Sequence, residues 1–202
     1  MRSTDIQSAI INHTVVNSGV EIQRAYISLS FVSDCELVLY KRYMFGFLPC
    51  ADDHLSFALD RDIEAALLDR IGAIYKVGKP RDIMIFGGIV QGRIDGEVNG
   101  DLLKVKTIGR EHWFPEANDM PSRVFYHVQA CMHYLKYQRS QVVYLARDTG
   151  AVKVIGINYK PNVGAQIDEK LNRLVEAVKR FTPPRCTCHK CPEYANTSDL
   201  AS

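Results

Sequence analysis

Residues 91–107 read QGRIDGEVNGDLLKVKT: two β-prone runs on either side of the pair Asn99-Gly100. Asn-Gly in that setting is the strongest short-range hairpin signal, because both central residues of a tight type I′ turn need positive φ. A two-residue turn pairs Val98 with Asp101, and counting back sets Asp95 opposite Lys104 and Arg93 opposite Lys106. Alternate strand residues share a face, so these four side chains are expected together, with Glu97 beside them. Opposite charges facing across a hairpin attract by about 0.2–1 kcal/mol, which gives Asp95 a partner in Lys104. Arg93, Lys104 and Lys106 against Asp95 and Glu97 make the expected face net positive.

Outward from the hairpin the pattern is helical. SFVSDCELVLYKRYMF (30–45) reads as one helix capped by Ser30 or Ser33, with no Gly or Pro before Gly46. Leu59, Ile63, Leu67 and Ile71 recur at helical spacing and predict a second helix over 55–71. After the hairpin, Pro121 fits the first turn of a helix whose apolar stripe is Val124, Val128, Cys131 and Leu135. Strands are predicted over 141–147 and 151–157, then a helix over 165–181 with Ile167, Leu171, Leu174, Val178 and Phe181 on one face, stopped by Pro183 and Pro184. The order is helix, helix, hairpin, helix, two strands, helix, without internal repeats.

Length and charge bound the reading. At 202 residues, 47% hydrophobic and 24% charged, the chain can bury one sizeable core, so a single domain is expected, with its core over about 30–181 and a tail over 182–202. A net charge of +2 is small for a polyanion binder, so any DNA contact must be local. The start lacks an apolar segment of signal-peptide length, and the longest apolar run, IMIFGGIV (83–90), is too short for a bilayer. A soluble cytoplasmic protein without a membrane partner is expected.

Taken together, GRIDG (92–96), Val105-Lys106-Thr107 and Gln129 on the following helix resemble the RecB-like branch of the PD-(D/E)XK nuclease superfamily, which includes CRISPR-associated adaptation exonucleases and phage exonucleases. The resemblance runs from about Ser30 to Cys191. It implies an α/β restriction-endonuclease-like core, a mixed central sheet flanked by helices, and cleavage of linear or single-stranded DNA with Mg²⁺ or Mn²⁺. Such a cation neutralises charge developing on the phosphate and lowers the pKa of the attacking water; carboxylates suit it, and a lysine can stabilise the developing charge.

Carried onto this sequence, Asp95 would bind metal, Lys106 would be the catalytic lysine, and Gln129 would orient DNA or that lysine. Glu64 matches an acidic residue that some members carry before the motif strand; His54 lies nearby. Arg93 and Tyr134 are expected DNA contacts, although His133 holds the place where the family's tyrosine stands. Lys104 stands where the family has its second carboxylate. Glu97, and more distantly Glu111, are the candidates for a relocated metal ligand.

Of six cysteines, Cys186, Cys188 and Cys191 fall within six residues of one another, and clustered thiols in a reducing compartment more often bind metal than pair as disulfides. Zinc or an iron–sulfur cluster normally takes four ligands, and Cys35 is the natural fourth. The resemblance implies a 4Fe–4S cluster stapling the first helix to the tail; Zn²⁺, a set using His189, and an unligated tail stay open. Cys50 and Cys131 read as buried apolar residues. The expected function is a divalent-metal-dependent DNA exonuclease or endonuclease of recombination, repair or CRISPR-linked processing, its activity weakened by Lys104 at the usual acidic position; the alternatives are a nuclease-fold DNA-binding or accessory protein with Lys104 as a phosphate contact, and a metal-stapled scaffold for a protein partner. A recombination or CRISPR-adaptation partner and a homo-oligomer are compatible with any of the three.

Overall fold

The computed structural model describes residues 26–45, 51–109 and 120–185. In chain order these form β1 (Ile27–Ser28), a 3₁₀ turn (Leu29–Phe31), α1 (Glu36–Phe45), α2 (Ala51–Ile74), β2 (Arg81–Ile85), β3 (Val90–Ile94), β4 (Gly96–Val98), β5 (Asp101–Ile108), α3 (Ser122–Leu135), β6 (Arg139–Ala146), β7 (Val152–Asn158) and α4 (Pro161–Lys179). The strands make two mixed sheets, ordered β1-β3-β2 and β4-β5-β6-β7.

The turn behaves as its sequence predicts. Asn99 and Gly100 have φ of 52° and 82°, and Val98 pairs with Asp101. The pairing then ends early. Gly96 meets Leu103, and one step further back the chain leaves this sheet at Asp95, so that β3 pairs antiparallel with β2. Arg93 therefore faces Asp82, not Lys106, and lies on the other sheet. The glycines of GRIDG show why. A Cβ on Gly92 would stand 2.6 Å from Leu29, and one on Gly96 would stand 2.7 Å from Val77 and 2.8 Å from the Gly78 carbonyl oxygen. Only glycine admits those approaches, and they pull the two halves of the expected hairpin into separate sheets.

Helix ends differ more than helix existence. A 3₁₀ turn capped by the Ser28 hydroxyl occupies 29–31, and the helix expected from Ser30 begins at Glu36. The second helix runs from Ala51 to Ile74. Leu67 and Ile71 pack with Leu68 on Leu103, Val105 and Val143, whereas Leu59 is exposed. On the opposite face, Leu102, Val142, Tyr144 and Ile155 join Val128, Cys131 and Met132 of α3 and Leu171 and Leu174 of α4. Phe181, placed on the buried stripe by periodicity, is 76% exposed because the helix has already ended at Lys179. Strand β5 is thus covered on both faces, by α2 on one and α3 on the other. Among the described residues no helix is long and apolar enough to cross a membrane.

Candidate active site

Because β4 pairs only with residues 101–103, the rest of that edge of β5 has no strand neighbour among the described residues. Its outward amides, Val105 and Thr107, need acceptors, since an unpaired backbone donor in a half-buried place is costly. Two carboxylates supply them. Asp95, where the chain departs, accepts from the Val105 amide at 2.7 Å, and Glu64 of α2 accepts from the Thr107 amide at 3.3 Å.

Each carboxylate also binds a lysine of the same strand. Lys104 Nζ lies 2.9 Å from Asp95 Oδ1, and Lys106 Nζ lies 3.3 Å from Glu64 Oε1. One helical turn before Glu64, Asp60 accepts from the Thr107 hydroxyl at 2.7 Å and pairs with Arg147 at 3.1 Å. The edge therefore carries three carboxylates and three cations. It is electrically balanced, where the expected face was net positive; Arg93 and Glu97 have left it, and Glu64, Asp60 and Arg147 have joined. Lys104 is only 7% exposed, so it does not serve as a surface phosphate contact.

On the α3 side, His127 is buried near this edge. Burial, followed by Lys104, Lys106 and Arg123, holds its pKa well below the ordinary histidine value, so it is neutral at neutral pH. Cys131, one turn on, has its thiol pushed up to about 12 by burial, so it is an inert core residue as its place on the stripe suggests.

The other predicted residues lie elsewhere. The Glu97 carboxylate accepts from the Tyr137 hydroxyl at 2.5 Å, and Arg81 donates to that hydroxyl at 3.3 Å. Gln129 is fully buried; its amide donates to the Asn158 carbonyl and accepts from the Lys160 amide, both at 2.8 Å. It ties the end of β7 to the start of α4. The Tyr134 hydroxyl donates to Asp168 of α4 at 2.8 Å. Arg93 is exposed beside Asp82, 3.9 Å away. Glu111, Cys50, Cys186, Cys188, His189, Cys191 and the His54 side chain lie outside the described residues. Cys35, just before α1, lines a cleft of about 950 Å³ with Lys170, Arg173, Arg180 and the stretch from Pro183 to Arg185.

Sequence reading missed Asp60, Arg123 and His127, and gave Thr107 no role beyond its place in the motif. Only two carried a usable signal: Asp60 stands four residues before Glu64, and His127 four before Cys131, hence each on the same helix face.

A catalytic Mg²⁺ or Mn²⁺ does not fit this donor set. Both Asp95 oxygens are engaged, and no group of three His, Cys, Asp or Glu side chains among the described residues could hold a metal ion. Asp95 and Glu64 are each held by a separate amide and a separate lysine of β5.

The sequence matches no protein-family profile and no curated protein. Solved structures are similar in fold. SSO0001 aligns with a TM-score of 0.57 and 14% identity over 89% of each chain. The LHK-Exo structure in complex with dAMP aligns with a TM-score of 0.61 and 14% identity, covering 78% of this chain and 90% of that one. A second LHK-Exo structure, described as an alkaline exonuclease from Laribacter hongkongensis, gives 0.58 and 11% over 79% and 91%. At these identities the likeness is one of fold, a nuclease-like α/β core.

Proposed function

We propose that this protein engages the phosphate backbone of DNA beside the open edge of β5, and that in its present sequence it binds DNA without metal-dependent cleavage. The observation that carries this reading is the Asp95–Lys104 pair. The ammonium of Lys104 sits on the carboxylate that the resemblance assigns to metal, and a divalent cation could reach Asp95 only by displacing it. Lys106 is a third exposed on its Glu64 partner and remains reachable by a phosphate. The likeness to exonuclease structures supports DNA as the polyanion.

A second reading, a DNA exonuclease or endonuclease dependent on Mg²⁺ or Mn²⁺, draws support from the delivery of Asp95, Glu64 and Lys106 to one strand edge. Cleavage of end-labelled linear DNA with Mn²⁺ separates the two readings, comparing this chain with Lys104→Glu and Asp95→Ala. We expect binding without cutting by this chain, and tighter Mn²⁺ binding by Lys104→Glu in calorimetry. Cutting by the unaltered chain that Asp95→Ala abolishes would establish the second reading instead.

For the cysteines we propose a structural staple, with Cys35, Cys186, Cys188 and Cys191 holding Zn²⁺ or a 4Fe–4S cluster. Support comes from the cleft that Cys35 shares with Pro183, Pro184 and Arg185, the residues leading directly to Cys186.

A further inference from the structure

The balanced edge of β5 raises a question that its own residues do not answer. Lys104, Lys106 and Arg147 each bind a carboxylate, so their charges are compensated before any phosphate arrives. Arg123 differs. It lies in the first turn of α3, one turn before His127, and acts electrostatically on that histidine together with Lys104 and Lys106. From there its side chain turns to the 3₁₀ turn, where it meets Ser30 and Phe31.

Its guanidinium is held in place without an ion pair of its own; Asp34, which pairs with Arg42, acts on it only at longer range. Nε donates to the Ser30 carbonyl at 3.1 Å, and the Phe31 ring lies under the guanidinium, 4.0 Å from its centroid. Arg42 lies 4.4 Å from the same ring but spends its charge on Asp34, at 2.8 Å. Among the described residues Arg123 forms no salt bridge, and its two terminal nitrogens make no hydrogen bond. A planar fork fixed by its Nε and one face, with both ends unspent, matches the oxygens of a phosphate. Fixing it beforehand also removes the entropy cost of ordering a long side chain on binding.

We propose that Arg123 is a phosphate-binding residue of this protein, a preformed site for the phosphodiester backbone of a nucleic acid at the first turn of α3, beside the 3₁₀ turn that holds Ser30 and Phe31. It rests on the DNA-binding reading above and adds a cation that forms no salt bridge among the described residues. Contact with the phosphate would be independent of base sequence.

The test is fluorescence anisotropy with a labelled oligothymidylate over a series of salt concentrations. The variants are Arg123→Gln, Arg123→Lys and, as a remote control, Arg180→Gln. Arg123→Gln should weaken binding about tenfold, the scale of a lost charge-assisted hydrogen bond. It should also flatten the slope of log affinity against log salt by about 0.7, the value for one phosphate contact on a single strand. Arg123→Lys should keep the slope and lose affinity, because charge is retained and the fork is not. Arg180→Gln should change neither. Thermal melting reports whether each variant folds. A folded Arg123→Gln with unchanged slope would overturn the proposal while leaving DNA binding standing; a parent chain that binds no oligonucleotide would remove both.

Discussion

Asp95 is 14% exposed and Lys104 9% exposed at the side chain, so their ion pair is held away from most of the solvent. Removing one partner of such a pair strands the other as a buried charge, and losses of about 3–5 kcal/mol follow. Asp95→Ala should destabilise the fold by about 3 kcal/mol, since it also deprives the Val105 amide of its acceptor. Adding Lys104→Met to that variant should restore a substantial part, because the stranded ammonium is gone. Urea denaturation of the two single variants and the double variant measures the coupling; purely additive losses would mean that the pair is energetically idle. This pair was readable in the sequence because a two-residue turn fixes register by counting. The fate of Arg93 was not, because the chain leaves the sheet at Asp95 through contacts of Gly92 with Leu29 and Gly96 with Val77, residues 63 and 19 positions away.

Among the elements, periodicity located α3 and α4 well, since an amphipathic stripe is a local property of the chain. What joins the two helices is not local, and that part was hidden. The resemblance sets Gln129 to orient DNA or Lys106, yet its amide closes on backbone groups of Asn158 and Lys160, where β7 hands over to α4. Four residues into α4, Gly164 makes room for a second tie. His133 Nδ1 and the Tyr159 hydroxyl lie 2.7 Å apart in a hydrogen bond, and a Cβ on Gly164 would stand 2.2 Å from that hydroxyl and 2.6 Å from the ring nitrogen. Helix propensity alone favours alanine there. The crowding should win: Gly164→Ala is expected to lower stability by about 1–3 kcal/mol, the range for overpacking, as read by thermal or urea unfolding. A stabilised Gly164→Ala protein would show that the two rings move aside freely.

Across the whole molecule, two further properties join distant parts of the chain. If Cys35 and the three C-terminal cysteines form one staple, the purified protein should contain metal, and Cys35→Ser should lose it together with part of its thermal stability. Elemental analysis for zinc and iron, with visible absorbance for a cluster, reads both; a metal-free parent chain would end that proposal. The second property is response to acid. His127 is neutral in the folded protein, with burial its main cause and Lys104, Lys106 and Arg123 adding to it, whereas in the unfolded chain it takes a proton near its ordinary value of 6.5. Below that value the unfolded state binds more protons than the folded state, so stability falls as pH falls and is fully present above it. His133, whose pKa is also lowered chiefly by burial, acts in the same sense. One such group contributes at most about 1.4 kcal/mol per pH unit between its folded and unfolded pKa. Unfolding free energies measured from about pH 7 down to about pH 5 should therefore fall more steeply for the parent than for His127→Gln, whose remaining slope comes from other groups. Parallel curves would mean that His127 takes up its proton alike in the folded and the unfolded chain, and an imidazole that charges so readily beside two lysines and an arginine would then require an anion among them.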